Sequence, residues 1–182
     1  MTDYKPWKNL FLFGLGLAIG ASFCMKWMES DLWVNGKQFT ILGLELFYSK
    51  DKVSETLNRL DEQTRMVLRY HLCFDFAFMA GIFPAIASLC MMVYNKTTSF
   101  AVKKCLFVLA CLQLVAWGLD ITENYYLLQS VDKKSVGNYF PFFHFVVAAK
   151  WSIALLAVTI AVTVILFRRN KITKGVKTHF LI

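Results

Sequence analysis

The sequence predicts an all-α integral membrane protein: a bundle of four transmembrane helices with an extracytoplasmic hairpin-like segment and a helical extension of the second span. Of its 182 residues, 57% are hydrophobic and 16% are aromatic, which is more apolar surface than one small soluble core hides. Four apolar windows are long enough to cross a hydrocarbon layer about 30 Å thick as helices. They lie at about residues 10–27, 72–94, 106–128 and 139–167, within a single membrane domain of residues 1–182.

The first span is rich in glycine. Its Gly16-x-x-x-Gly20 spacing is one that lets a second helix approach closely. The motif is common by chance. We therefore favour packing within the chain, and contact with a partner membrane protein through this span is the alternative.

The external segment, residues 29–70, begins with a turn signal. Asn35-Gly36 is flanked by apolar residues, a pattern that predicts a β-hairpin. A short hairpin lying on the membrane would place Trp33, Phe39 and Phe47 at its surface. This external segment is a second candidate surface for a membrane-protein partner.

The rest of the external segment has a helical pattern. Ser49 and Asp51 are capping residues, and apolar residues recur at helical spacing from Val53 to Leu68. Neither glycine nor proline separates this stripe from the second span. We therefore expect one helix, or two coaxial helices, over residues 52–94.

The charged residues predict how the spans are oriented. One side of the membrane carries nine cations and eight acids. The opposite side carries ten cations against Asp3 alone: Lys5, Lys8, Lys96, Lys103, Lys104, Arg168, Arg169, Lys171, Lys174 and Lys177. The cation-rich side is cytoplasmic by the positive-inside rule. We therefore expect the protein in a bacterial inner membrane, with both termini on the cytoplasmic side. The net charge of +8 thus indicates membrane lipids as partners and no nucleic acid.

Seven polar residues interrupt the last three apolar stretches, and antiparallel helices would bring them all toward the external side. They are His71, Asp75, Asp120, Glu123, Asn124, His144 and Lys150. Such residues are costly in hydrocarbon and mark a functional site by default. On the third span Gln113, Trp117, Asp120 and Asn124 recur at helical spacing, which predicts one polar stripe facing protein.

Lys150 and Asp120 are the expected ion pair in this cluster. Side chains lean toward the N-terminus of their helix, so Lys150 reaches outward and Asp120 reaches inward. Three acids against one lysine leave about two surplus negative charges, which protons, an imidazolium or a bound cation must balance. We expect the cluster to open outward, toward residues 66–70 and 138–140, and to be hydrated or ligand-filled.

No cofactor is expected, and a divalent metal such as zinc is the alternative. His71, Asp75, Asp120, Glu123 and His144 are acceptable zinc or iron ligands. However, no His-Glu-x-x-His or Glu-x-x-His spacing is present. A haem between His71 and His144 is a narrower alternative.

The chain resembles a group of small bacterial four-span membrane proteins with no assigned activity, over about residues 60–152. The matching residues are Thr64-Arg65 and Arg69, then Asp75 and Phe83-Pro84, then Asp120-x-x-Glu123-Asn124, then Lys150-Trp151. The resemblance implies that these residues occur together and implies no particular chemistry. In architecture alone the chain is similar to the sterol-isomerase and sigma-2-receptor-like family, which buries acids in a lipid-facing pocket, but no residues are carried over.

The expected function is binding, by an outward-facing intramembrane polar pocket that receives a lipid-like ligand or a membrane-protein partner. The expected ligand-binding residues are His71, Asp75, Trp117, Asn124 and His144. The alternative is an intramembrane lipid-modifying enzyme, a hydrolase or isomerase, with Asp120 and Glu123 as acid and base and Lys150 as electrostatic stabiliser. Transport is less favoured because no internal repeat is evident. A hydrogen-bonded network that only orients the helices is an equal alternative.

Overall fold

The computed structural model describes residues 4–133, 137 and 140–179, with side chains up to residue 168. Within these residues, four helices are long and apolar enough to cross a membrane. They are α1 (Tyr4–Glu29), α3 (Glu62–Lys96), α4 (Phe100–Lys133) and α5 (Phe140–His179). The predicted all-α architecture with four span-length helices is therefore confirmed.

Helix α3 is the centre of the bundle, because it contacts all three of the other long helices. Helix α1 makes its principal contact with α3, and α4 packs against both α3 and α5. Tyr4, at the start of α1, accepts a hydrogen bond of 3.0 Å from Lys96 at the end of α3. We call the opposite end, where α1 stops at Glu29 and α3 begins, the hairpin end.

Small residues set the distance between α1 and α3. A Cβ added to Gly81 would lie 2.6 Å from the carbonyl oxygen of Gly14 and 2.7 Å from the backbone nitrogen of Ala18. A Cβ added to Gly16 or Gly20 would meet nothing within 4 Å. The prediction that the Gly16-x-x-x-Gly20 motif packs within the chain is therefore wrong, because α1 turns a different face, with Gly14 and Ala18, toward α3.

The connection between α1 and α3 begins with a small β-hairpin. Strand β1 (Trp33–Val34) pairs antiparallel with β2 (Lys37–Gln38), and the turn residues Asn35 and Gly36 have φ values of 51° and 72°. Both values are those of a type I′ turn, which suits the twist of paired strands. The predicted hairpin is confirmed. Phe39, however, is 4% exposed, so its predicted place at a membrane surface is wrong.

A short π-helical turn and a second helix complete the connection. The turn covers Gly43–Phe47, and α2 covers Lys50–Asn58. Ser49 caps α2 by accepting a hydrogen bond from the backbone N–H of Lys52. Asp61 caps α3 in an extended conformation, so the chain breaks between α2 and α3 and the single continuous helix, one of our two expectations, is wrong.

Two hydrophobic clusters hold the bundle together, one at the hairpin end and one deeper. The hairpin-end cluster joins the connection to the helix ends through Leu32, Phe39, Leu44, Leu57, Leu72, Leu127 and Val147, among others. The deeper cluster includes Met79, Phe83, Leu109, Ala116, Ala154 and Ala157. Along α3, α4 and α5, the predicted acids and Lys150 fall between these two clusters. They therefore form a polar layer with apolar packing above and below.

Candidate functional site: a polar layer at the head of an apolar cavity

Lys150 is the centre of the polar layer. Its side chain is 5% exposed, and its ammonium forms ion pairs with Asp120 and, at 2.5 Å, with Oε2 of Glu123. The two acids are three residues apart on α4, so they lie one turn apart and both face α5. The predicted pair between Lys150 and Asp120 is present, and Glu123 shares the same ammonium.

A second contact joins α3 to α4. The side-chain amide of Asn124 donates a hydrogen bond to Oδ2 of Asp75, and Asn124 is fully buried. The polar stripe predicted on α4 thus faces protein at Asn124, Asp120 and Gln113. Gln113 donates to the carbonyl oxygen of Leu109 in its own helix, so it is not a contact between helices.

Glu45 is a member of the polar layer that the sequence analysis missed. It lies on the π-helical turn, which packs against α5, and it is only 6% exposed. Burial raises the pKa of Glu45 well above 4.5, and the nearby carboxylates of Glu123, Asp75 and Asp120 raise it further while Lys150 lowers it. One signal was available: Glu45 is the only charged residue in the apolar run from Ile41 to Phe47.

The charge of the layer is strongly unbalanced. The layer contains four carboxyl groups, those of the buried Glu45, Asp120 and Glu123 and of the half-buried Asp75, and the single ammonium of Lys150. If every group is ionised, four negative charges against one positive charge leave an excess of three. Low-dielectric surroundings do not tolerate such an excess, so protons, water or a bound cation must offset it.

A cavity of about 390 Å³ opens beside this layer, a volume within the range of small-molecule sites. Its head is polar, and Glu45, His71, Asp75, Asp120 and Lys150 line it. The remainder is apolar and is lined chiefly by Phe78, Ile82, Phe83, Ile86, Ala154, Leu155 and Val158. From His71 to Ile86 the lining follows α3 for about 22 Å at 1.5 Å per residue.

The cavity lies between α1 and α5, and α3 forms the wall that joins them. Helix α1 contributes Ser22, Met25, Lys26 and Glu29 to its wall, and the π-helical turn covers its head. Neither residues 66–70 nor Phe140 line it, and residues 138–139 lie outside the described part of the chain. Residues 66–70, toward which we expect the cluster to open, are therefore not part of the cavity wall, and Ile41, Leu42 and Glu45 line the cavity instead.

His71 faces the head of the cavity with one nitrogen unsatisfied. The residue is 6% exposed, lines the cavity, and its Nδ1 is buried without a hydrogen-bond partner among the described residues. Buried polar atoms are rarely left in this state. A ligand or water in the cavity is the natural partner for this nitrogen.

Three predicted ligand-binding residues, Trp117, Asn124 and His144, do not line the cavity. Trp117 packs against the deeper hydrophobic cluster, and the ring of His144 packs edge-on against Phe140 and Phe143, with centroids 4.4 and 5.7 Å away. The aromatic contacts of His144 and the apolar packing of Trp117 keep these two side chains away from the cavity. Neither residue joins the polar layer.

The alternative metal set does not converge on one point. Within residues 4–133, 137 and 140–168, no group of three or more His, Cys, Asp or Glu side chains is arranged to hold a metal ion. His144 lies among aromatic rings, and Asp120 and Glu123 are both engaged by Lys150.

Comparison with known proteins adds no functional information. No protein-family model, no curated protein and no solved structure matches this chain. The function is therefore argued from the cavity and its polar head.

Proposed function

We propose that this chain is a multi-pass membrane protein that binds a lipid-like amphiphile in the cavity between α1 and α5. The supporting observation is the division of the cavity lining: acids, His71 and Lys150 lie at one end, and aliphatic and aromatic side chains line the rest. A ligand that fills this shape has a polar group and an apolar body. A chain that comes from the bilayer leaves one apolar environment for another, so the polar head of the cavity is the part that selects the ligand.

The route into the cavity supports a ligand from the lipid phase. Helices α1 and α5 both line the cavity but are held together mainly through α3. At this edge lie exposed apolar residues such as Leu155, which is itself part of the cavity wall. An amphiphile in the bilayer enters sideways through such a gap without crossing water, its polar group sliding toward Glu45 and Asp75.

We propose in addition that the protein lies in a bacterial inner membrane with both termini in the cytoplasm and the hairpin end outside. The ten cations against one acid on the terminal side support this orientation. Ser30 and Thr98 are exposed and lie at opposite ends of the bundle. In a variant without the five native cysteines, Ser30→Cys should react with an impermeant maleimide added to intact cells, and Thr98→Cys should not; the reverse pattern would overturn the orientation.

Cavity filling tests the binding function directly. Ala154 lines the cavity and is buried, whereas Leu156, on the same helix, is exposed and lies outside the lining. Native mass spectrometry of the protein released from nanodiscs should show bound lipid in the native chain and in Leu156→Trp, and at least tenfold less in Ala154→Trp. Leu155→Trp, at the open edge of the cavity, serves if Ala154→Trp does not fold. Equal lipid in all variants would refute the proposal.

A second candidate function is an intramembrane lipid-modifying enzyme, and the surplus of carboxyl groups favours it. Asp120 lines the cavity and faces its head, where a carboxyl group is placed to exchange a proton with a ligand. Asp120→Asn keeps the shape of the side chain and removes its acid–base capacity. If the protein is an enzyme, mass spectrometry should show that the native chain converts an added lipid extract, whereas Asp120→Asn binds lipid without converting it. If the protein only binds lipid, neither the native chain nor the variant converts the extract.

A further inference from the structure

The groups that face the head of the cavity are unequal in charge. Every element around it contributes, namely Lys26 and Glu29 from α1, Glu45 from the turn, His71 and Asp75 from α3, Asp120 from α4, and Lys150 from α5. Glu123 is not part of the lining, but it pairs with Lys150. Both lysines are already paired, since Lys26 lies 2.5 Å from Glu29 and Lys150 bridges Asp120 and Glu123. Among the ion pairs of the described residues, none includes Glu45 or Asp75.

Glu45 and Asp75 therefore face the cavity with no cation of their own. Asp75 accepts one hydrogen bond, from the neutral amide of Asn124, and this bond adds no positive charge. Carboxyl groups in such surroundings either keep their protons or take up a cation. The cavity is open beside both of them, so the cation can come from a ligand.

His71 gives an independent indication of what the ligand offers. Its Nδ1 is buried, unpartnered and on the cavity wall. A neutral imidazole donates a hydrogen bond from one nitrogen and accepts at the other. With the proton on Nε2, Nδ1 of His71 is the acceptor and an N–H group of a ligand satisfies it. The aromatic side chains of Phe78 and Trp151, which lie within one helical turn of Asp75 and Lys150, line the same cavity, and aromatic faces attract organic cations.

An anionic head group finds the opposite environment. The one cation in the polar layer, Lys150, is held by two carboxylates, and an anion must displace one of them to reach it. A phosphate, sulfate or carboxylate would add a further negative charge beside Glu45 and Asp75. Such juxtaposition of like charges rejects a ligand even where its apolar part fits.

We propose that the ligand of this cavity is an amine-bearing amphiphile, whose ammonium lies between Glu45 and Asp75 and donates a hydrogen bond to Nδ1 of His71. This inference rests on the proposed function and names its ligand class. It distinguishes an amine from a neutral or anionic head group on the same apolar chain.

The test uses four photoreactive amphiphiles that share a dodecyl chain with a diazirine near its end. Their head groups are a primary amine, a trimethylammonium, an alcohol and a sulfate, and the full-length protein is held in phosphatidylcholine nanodiscs. The amine probe should crosslink to α3 and α5 beside Phe83 and Val158, as mapped by peptide mass spectrometry. Unlabelled dodecylamine should compete at least tenfold better than dodecyl sulfate, and better than the trimethylammonium compound, which has no N–H for His71.

Charge-removing variants check the position of the ammonium. The double variant Glu45→Gln/Asp75→Asn should weaken amine competition at least tenfold and leave competition by the alcohol unchanged, because both substitutions keep the shape of the side chain. Asp51→Asn is the matched control, since Asp51 is an exposed acid on α2 outside the cavity. If the double variant does not fold, the native protein should bind the amine more tightly at pH 8 than at pH 5, because burial raises the pKa of Glu45 and its carboxyl group carries more negative charge at the higher pH; equal affinity at both pH values would overturn the assignment.

The outcomes separate this inference from the function on which it rests. Sulfate competing as well as the amine, with crosslinking still lost in Ala154→Trp, would overturn the amine assignment and leave amphiphile binding in place. Crosslinking that is the same in the native protein and in Ala154→Trp would overturn both. Unchanged amine competition in the folded double variant would also overturn the assignment.

Discussion

Replacing Lys150 by methionine tests whether the polar layer is held by charge pairing. Lys150 is buried, and its ammonium serves both Asp120 and Glu123. Methionine has a similar volume and is apolar, so the substitution removes the charge while keeping the packing. It leaves four acids with no cation among them, and we expect the fold to lose stability.

The size of the loss follows from the burial of the pair. Removing one partner of a buried ion pair costs about 3–5 kcal/mol, because the other partner stays buried and uncompensated. For chains of this length, 1 kcal/mol corresponds to about 2–4 °C in the unfolding midpoint. The expected decrease for Lys150→Met is therefore about 6–20 °C at pH 7, and it should be smaller at pH 4, where protons neutralise the stranded acids.

Thermal unfolding in one detergent, followed by tryptophan fluorescence, measures this decrease. Lys104→Met is the control, because Lys104 is exposed on α4 and a surface charge contributes little. The triple variant Lys150→Met/Asp120→Asn/Glu123→Gln should recover most of the loss, since it removes the uncompensated charges. A midpoint for Lys150→Met within 2 °C of the native value, or no recovery in the triple variant, would refute the charge-pairing argument.

Three further predictions concern other parts of the chain. Gly81→Ala should lower the unfolding midpoint by an amount equivalent to about 1–3 kcal/mol, because its Cβ meets backbone atoms of α1 at 2.6 Å, whereas Gly16→Ala meets nothing and should not. Glu45→Gln should raise the unfolding midpoint more at pH 8 than at pH 4. The pKa of Glu45 is raised in the folded protein, so its ionisation above pH 4.5 costs stability in the native chain. An equal change of midpoint at both pH values would contradict this. Arg65→Met should destabilise by about 1–3 kcal/mol in denaturant titration, because the buried guanidinium donates to the carbonyl oxygens of Val131 and Leu60; no change in midpoint would show that these two bonds are dispensable.

The parts of the fold that the sequence predicted are those in which local pattern and burial agree. Apolar length defines the four long helices, and Asn35-Gly36 defines the hairpin because few residues adopt two successive positive φ values. The pairing of Lys150 with Asp120 also followed, because a buried ammonium has few alternatives to a nearby carboxylate. In each of these three cases, a single physical requirement of a local segment or residue is enough to determine the structure.

The errors come from contacts between segments distant in sequence. The contact face of α1 was misplaced because Gly14 and Ala18 are a small-residue pair as suitable as Gly16 and Gly20, and only the position of α3 distinguishes them. Glu45 lies in the segment predicted to be external, residues 29–70, and no local pattern there places an acid against a transmembrane helix. Its neighbours Ile41 and Leu44 are buried in the hairpin-end cluster, and they bring the turn, with its acid, onto α5.

The inclusion of Glu45 bears on whether the polar layer only orients helices. A network with that role needs polar groups on the helices that it joins. Helices α4 and α5 are joined by Asp120, Glu123 and Lys150. Helices α3 and α4 are joined by Asp75 and Asn124. Glu45 is on none of the long helices, and it adds a fourth carboxyl group to a layer that already has too few cations. Burial of an acid without a paired cation costs stability. Orientation of the helices explains the paired groups, but it explains neither Glu45 nor the unsatisfied nitrogen of His71, and both face the cavity. A ligand that neutralises Glu45 and hydrogen-bonds His71 accounts for both with a single group.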